Sequence, residues 1–105
     1  MSKGKSYHKL VRDKIPQVIK ETNKEPFFYV ANSEEVKPLI LDKLMEELEE
    51  FRLTPNEEEL ADLLEVIDGI GLAFGLDMES VLKVKEKKKE ERGGFSQGIV
   101  LERVE

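Results

Sequence analysis

Apolar residues recur at steps of three and four in two neighbouring stretches, and this spacing constrains the fold more than any other feature. The first stretch covers residues 39–51 and the second covers residues 60–74. An α-helix returns to the same face every three to four residues, so both stretches are predicted to be amphipathic helices. Because only a short segment containing Thr54 and Pro55 joins them, the two helices are predicted to run antiparallel.

Local signals predict where the two helices begin. Asn32, three residues before Glu35, is typical of a capping box and predicts a helix start near Ser33. Pro38 then lies too deep for a first helical turn, so a kink or a fresh start is expected there. Thr54 and Pro55 fit the cap and the first position of the second helix.

The flanking segments predict two further helices. Pro16 suits the first turn of a helix over roughly residues 14–22. Asp77 can cap a last helix that runs to Arg92 and stops at the following glycine pair. Residues 26–31 are expected to be extended or to form a packed loop, with nucleobase stacking as the less favoured role of their aromatic side chains. Residues 99–104 are expected to form a short strand or an arm that reaches a partner chain.

The predicted fold class is therefore all-α, a small four-helix bundle-like domain over residues 1–105. A chain of this length buries a limited share of its surface, so its core is expected to be completed by a second copy, in a homodimer or homotetramer. There is no cysteine, which excludes disulfides and thiolate metal sites. No apolar run is long enough to span a membrane, and a cytoplasmic location is expected.

The formal net charge of −6 is unevenly distributed along the chain. Residues 42–68 are strongly acidic, whereas residues 3–24 and 83–92 are largely basic. A net acidic protein repels the phosphates of nucleic acid, so nucleic acid is not expected as a partner. The distribution suits a site with divalent cations at its centre and phosphates at its basic edge.

Counting about 100° per residue selects four of the acids on the two central helices. Glu47 and Glu50 lie on one flank of the first apolar stripe, and Glu59 and Asp62 lie on the same-hand flank of the second. In an antiparallel pair these flanks share one rim. The simpler interpretation is two solvated acidic faces, which are common on helices.

Convergence of these carboxylates would need a counter-charge. Two like charges about 4 Å apart repel by roughly 4 kcal/mol near a protein surface. Mg²⁺ or Mn²⁺ prefers oxygen ligands and shares its coordination shell with substrate phosphates. A carboxylate outside that shell could act as general base.

Two segments then resemble the all-α nucleoside triphosphate pyrophosphohydrolase superfamily, which includes MazG-like proteins and phosphoribosyl-ATP pyrophosphohydrolase. Residues 43–50 (KLMEELEE) resemble its E-x-x-E half, and residues 59–64 (ELADLL) resemble its E-x-x-D half. Residues 8–16 (HKLVRDKIP) and 91–95 (ERGGF) are similar to the ends of a short MazG-like subgroup.

The resemblance implies a Mg²⁺-dependent hydrolase that cleaves a nucleoside triphosphate between its α- and β-phosphates. It assigns the metal-ligand role to the four acids chosen by angle, Glu47, Glu50, Glu59 and Asp62. The connection over residues 51–58 is shorter than is usual in that superfamily, so Glu65 and Asp68 stay open as alternatives to the second pair.

Other residues are candidates for the remaining roles. Glu46 is the candidate base, beside Glu47 and Glu50 as catalytic ligands. Arg12, Lys43 and Arg92 are candidates for binding substrate phosphates, whereas Lys9 and Lys14 are more typical of solvated lysines. Two alternative functions stay open: hydrolysis of phosphoribosyl-ATP, and a non-catalytic helical oligomer that binds metal or protein.

Overall fold

Four α-helices form in the computed structural model, which describes residues 7–105. Helix α1 spans Ile15–Glu21, α2 spans Ser33–Leu53, α3 spans Glu57–Ala73 and α4 spans Met78–Arg92. No strand occurs within residues 7–105, which confirms the all-α class. The chain divides into two compact units, the first ending at Gly75 and the second beginning at Leu76.

The start of α2 confirms the cap predicted at Asn32. Its side-chain oxygen accepts the backbone N–H groups of Glu34 and Glu35 at 3.0 and 2.8 Å. The Glu35 carboxylate accepts the hydroxyl of Tyr29. The fresh start expected at Pro38 is wrong, because α2 continues through this residue to Leu53. A helix can lose the one hydrogen bond that proline cannot donate when its other bonds and its packing persist.

The predicted start of α3 at Thr54 and Pro55 is also wrong, by two residues. Asn56 caps the helix by accepting the backbone N–H of Glu59 at 2.9 Å, and Thr54 closes α2 instead. Thr54 has φ −138° and ψ 78°, a conformation consistent with the steric clash that disfavours helix before proline. Proline therefore separates the helices, and asparagine starts the second one.

Helices α2 and α3 pack closely where glycine replaces a side chain. A Cβ atom on Gly69 would lie 2.9 Å from Cδ1 of Ile40, so a larger residue here would force the end of the Ile40 side chain to shift. Ile40 and Val66 are the buried apolar side chains among the described residues, 6% and 7% exposed. The apolar core of this first unit is therefore small.

Much of the apolar surface of α2 and α3 stays exposed. The exposed large side chains on these helices are Leu41, Met45, Leu48, Leu53, Leu60, Leu64, Ile67 and Leu72. Phe27, Phe28 and Tyr29 are exposed as well, so the packed loop predicted over residues 26–31 is not observed. Within residues 7–105, no helix combines the length and the apolar character that crossing a membrane requires.

The second unit consists of α4 and the chain that follows it. Asp77 accepts the backbone N–H of Glu79 at 3.3 Å, as predicted for the cap of this helix. The helix ends at Arg92, and the following Gly93 has a φ of 82°, in the region that favours glycine. Residues 99–104 form no strand, so the strand considered for this segment is absent.

Candidate metal centre

Three carboxylates of α2 form the first half of the site. Glu46, Glu47 and Glu50 each offer an oxygen, and these oxygens lie within 4.8 Å of one another. The spacing explains this, since residues four apart in a helix are neighbours on its surface. We call this group the α2 cluster.

The second half joins α2 to α3. Oxygens of Glu47, Glu59 and Asp62 also lie within 4.8 Å of one another, and we call this group the inter-helix cluster. It forms because the antiparallel register that sets Ile40 against Gly69 also sets Glu47 against Asp62. Glu59 lies in the first turn of α3, where the helix dipole favours a negative charge.

Glu47 belongs to both clusters and is the most buried charged residue in the part of the chain that the structure describes. The residue is only 7% exposed, and its Oε2 atom accepts no hydrogen bond from any described residue. Burial, and then the neighbouring Glu50 carboxylate, raise the pKa of Glu47 above its ordinary value. The Oε2 atom of Glu59 is also buried and likewise accepts no hydrogen bond from residues 7–105.

Three basic side chains surround the two clusters. Lys9 Nζ lies 2.9 Å from Glu46 Oε1, and Lys43 Nζ lies 3.3 Å from Glu46 Oε2 and 3.5 Å from Glu47 Oε1. Arg12 Nη2 lies 2.7 Å from Asp62 Oδ1. The hydrogen bond from Lys9 and the nearby charge of Lys43 lower the pKa of Glu46, which keeps this carboxylate ionised.

The structure brings together most of the residues singled out from the sequence. All four acids chosen by angle lie in one or both clusters, with Glu46 added, whereas Glu65 and Asp68 belong to neither. Arg12 and Lys43 contact cluster carboxylates, and Arg92 is the last residue of α4, in the second unit.

Lys9, which the sequence suggested to be an ordinary solvated lysine, contacts the α2 cluster. This lysine lies in the segment before α1, where no helical periodicity places it against α2. Its contact with Glu46 joins residues 37 positions apart. The basic character of residues 3–24 was the one signal that pointed to this contact.

The residues fit a divalent cation. Two groups of three carboxylates share Glu47, and two buried oxygens in these groups accept no hydrogen bond from the described residues. Buried carboxylates are ordinarily hydrogen-bonded, paired or bound to a metal, so the two clusters could hold a metal ion between α2 and α3.

No family model, curated protein or solved structure matches this chain.

Proposed function

We propose that this chain is a Mg²⁺-dependent nucleoside triphosphate pyrophosphohydrolase. The observation that carries the proposal is the buried Oε2 atom of Glu47, which accepts no hydrogen bond from the described residues, in a residue that belongs to both carboxylate clusters. A cation bound to this oxygen would offset the cost of burying its charge. Carboxylates around such an oxygen are typical of sites that bind metal–phosphate substrates. The resemblance of residues 43–50 and 59–64 to a pyrophosphohydrolase superfamily supports the same assignment.

Glu47, Glu50, Glu59 and Asp62 are the proposed ligands, with Mg²⁺ preferred and Mn²⁺ acceptable. Their oxygens are hard ligands, and the clusters contain no nitrogen or sulfur ligand that would favour softer metals. When bound, Mg²⁺ polarises phosphoryl oxygens and lowers the pKa of coordinated water.

The remaining residues bind the substrate and accept the proton. Arg12 and Lys43 lie against the clusters and supply positive charge for the phosphates. A water oxygen bonds to the α-phosphorus as the bond to the α–β bridging oxygen breaks. Pyrophosphate leaves with that oxygen, a monophosphate remains, and Glu46, which the nearby charge of Lys43 helps to keep ionised, accepts the proton.

The proposal also includes a second copy of the chain. The exposed apolar side chains of α2 and α3 would be covered in a homodimer or homotetramer, which supports this assembly. Housecleaning of noncanonical nucleotides in the cytoplasm is the role that the superfamily resemblance implies.

Pyrophosphate release from a panel of ribo- and deoxynucleoside triphosphates tests the reaction directly. We expect release with Mg²⁺, none with EDTA, and a loss of at least about a hundredfold in Glu50→Gln. Glu65→Gln is the matched control, because Glu65 is a glutamate of α3 outside both clusters, and it should keep full activity.

If no nucleoside triphosphate is hydrolysed, phosphoribosyl-ATP decides between another substrate and a non-catalytic protein. If a folded, metal-loaded chain hydrolyses no triphosphate but hydrolyses phosphoribosyl-ATP, the reaction class is retained and the substrate is different. If neither substrate is hydrolysed, a non-catalytic metal-binding oligomer replaces the enzyme.

A further inference from the structure

The segment before α1 places one basic side chain on each carboxylate cluster. Lys9 contacts Glu46 of the α2 cluster at 2.9 Å, and Arg12 contacts Asp62 of the inter-helix cluster at 2.7 Å. Both contacts join residues far apart in sequence, and residues 7–14 form no helix or strand that would fix them there. The segment is thus held against the site at least partly by these two ion pairs.

These ion pairs are of a kind that other ions can replace. The side chains of Lys9 and Arg12 are 41% and 56% exposed, and those of Glu46 and Asp62 are 30% and 38% exposed. Ion pairs that are solvated to this extent contribute about 0–1 kcal/mol to stability. A divalent cation bound to the same carboxylates would repel both basic groups, and a bound phosphate would attract them.

We propose that Lys9 and Arg12 bind the polyphosphate of the substrate, and that metal and phosphate binding moves them from Glu46 and Asp62 to phosphate oxygens. This inference rests on the proposed function and extends it, because it makes residues 7–14 a metal-responsive part of the site. Arginine suits the role, since its guanidinium pairs with phosphate through two parallel hydrogen bonds. Lysine adds a compact charge on the adjacent cluster.

The ligand chemistry is therefore a metal-bound diphosphate or triphosphate, and the nucleoside plays no part in this contact. Lys14 provides a matched control, because it lies in the same segment with an exposed side chain and contacts neither cluster. Inorganic pyrophosphate is the probe, since it contains the phosphates without the nucleoside and requires no turnover.

Calorimetric binding of pyrophosphate in Mg²⁺ tests the first part of the proposal. We expect Lys9→Gln and Arg12→Gln each to weaken pyrophosphate binding about tenfold, as for a lost hydrogen bond to a charged group. Both variants should bind Mg²⁺ alone at least as tightly as the unaltered chain, and Lys14→Gln should change neither affinity. Unchanged pyrophosphate binding in both variants, or no pyrophosphate binding by the unaltered chain, would overturn the proposal.

Hydrogen exchange of residues 7–14 tests the movement. We expect saturating Mg²⁺ alone to speed amide exchange in this segment, and added pyrophosphate to slow it again. Exchange that is the same with and without Mg²⁺ would mean that the ion pairs persist beside the metal, and would overturn the movement.

The outcomes separate this inference from the proposed reaction. A chain that binds pyrophosphate in this pattern but hydrolyses no nucleotide would remove the reaction and keep the phosphate site. A chain that hydrolyses triphosphates equally well in the unaltered form, Lys9→Gln and Arg12→Gln would keep the reaction and remove this site.

Discussion

At the scale of single residues, the burial of Glu47 lowers the stability of the metal-free fold but places a carboxylate at the centre of the proposed metal site. Its carboxylate is buried between two helices beside Glu50, Glu59 and Asp62, and one of its oxygens accepts no hydrogen bond from the described residues. Removing a charged group from water without full pairing is unfavourable. The partial compensation comes from Lys43, 3.5 Å away. A divalent cation would complete it, which makes Glu47 the residue on which the proposal depends most.

The raised pKa of Glu47 predicts a pH dependence of stability in metal-free protein. Above the ordinary value of 4.5, the folded chain still holds a proton that the unfolded chain has lost. The free energy of unfolding therefore falls as pH rises from 4.5 through the raised pKa. We expect this fall in urea unfolding with EDTA, and we expect Glu47→Gln to show a smaller fall over the same interval. Equal pH profiles for both chains would contradict the raised pKa of the buried Glu47 carboxylate.

Glu46 provides an internal comparison of opposite sign. Its lowered pKa means that it contributes stability above 4.5, which is lost as pH falls through the lowered value. The two glutamates therefore act in separate pH ranges. Added Mg²⁺ competes with the proton on Glu47, so its stabilising effect should grow as pH rises.

At the scale of elements, α2 and α3 approach closely where Gly69 faces Ile40. Gly69→Ala improves helix propensity by about 1 kcal/mol, but overpacking a filled contact costs roughly 1–3 kcal/mol. The new Cβ would lie 2.9 Å from Cδ1 of Ile40, and Ile40 is only 6% exposed, so its side chain has little room to move aside. We therefore expect net destabilisation, measured by chemical unfolding.

Ile40→Val is the matched background, because it removes the Cδ1 atom that the new methyl group would meet. In that background Gly69→Ala should become neutral or stabilising, so that the double-mutant cycle gives a favourable coupling energy. If Gly69→Ala destabilises both backgrounds equally, the contact does not limit helix approach.

The elements also show how far sequence periodicity reaches. The repeat of apolar residues predicted α2, α3 and the rim on which the four acids lie, because the helical repeat fixes the direction in which each side chain projects. Periodicity could not predict how deeply each side chain is buried, since Glu47 is buried and Glu50 is exposed on the same flank. The capping signals misplaced the start of α3, since Thr54 and Asn56 are both good cap residues and the local sequence does not decide between them. The positions of Lys9 and Arg12 depend on tertiary ion pairs, which have no periodic signal.

At the scale of the whole molecule, the small apolar core predicts self-association. Burying one large apolar side chain contributes about 1.5–3 kcal/mol, and α2 and α3 expose several. Sedimentation should give two or four times the chain mass of 12.1 kDa. Leu64→Lys on α3 should reduce the oligomer mass. Leu82→Lys on α4 makes the same substitution at an equally exposed leucine and should leave the mass unchanged. A monomer at every concentration would contradict the assembly.

The central claim is that α2 and α3 hold a divalent cation between them, and calorimetric titration with Mg²⁺ tests it most directly. The unaltered chain should show saturable binding, and Glu59→Gln should weaken it at least tenfold because a buried, unpaired oxygen is lost. Glu65→Gln, on the same helix outside both clusters, should bind Mg²⁺ as the unaltered chain does. Absence of saturable binding, or equal affinity in Glu59→Gln, would contradict the metal centre.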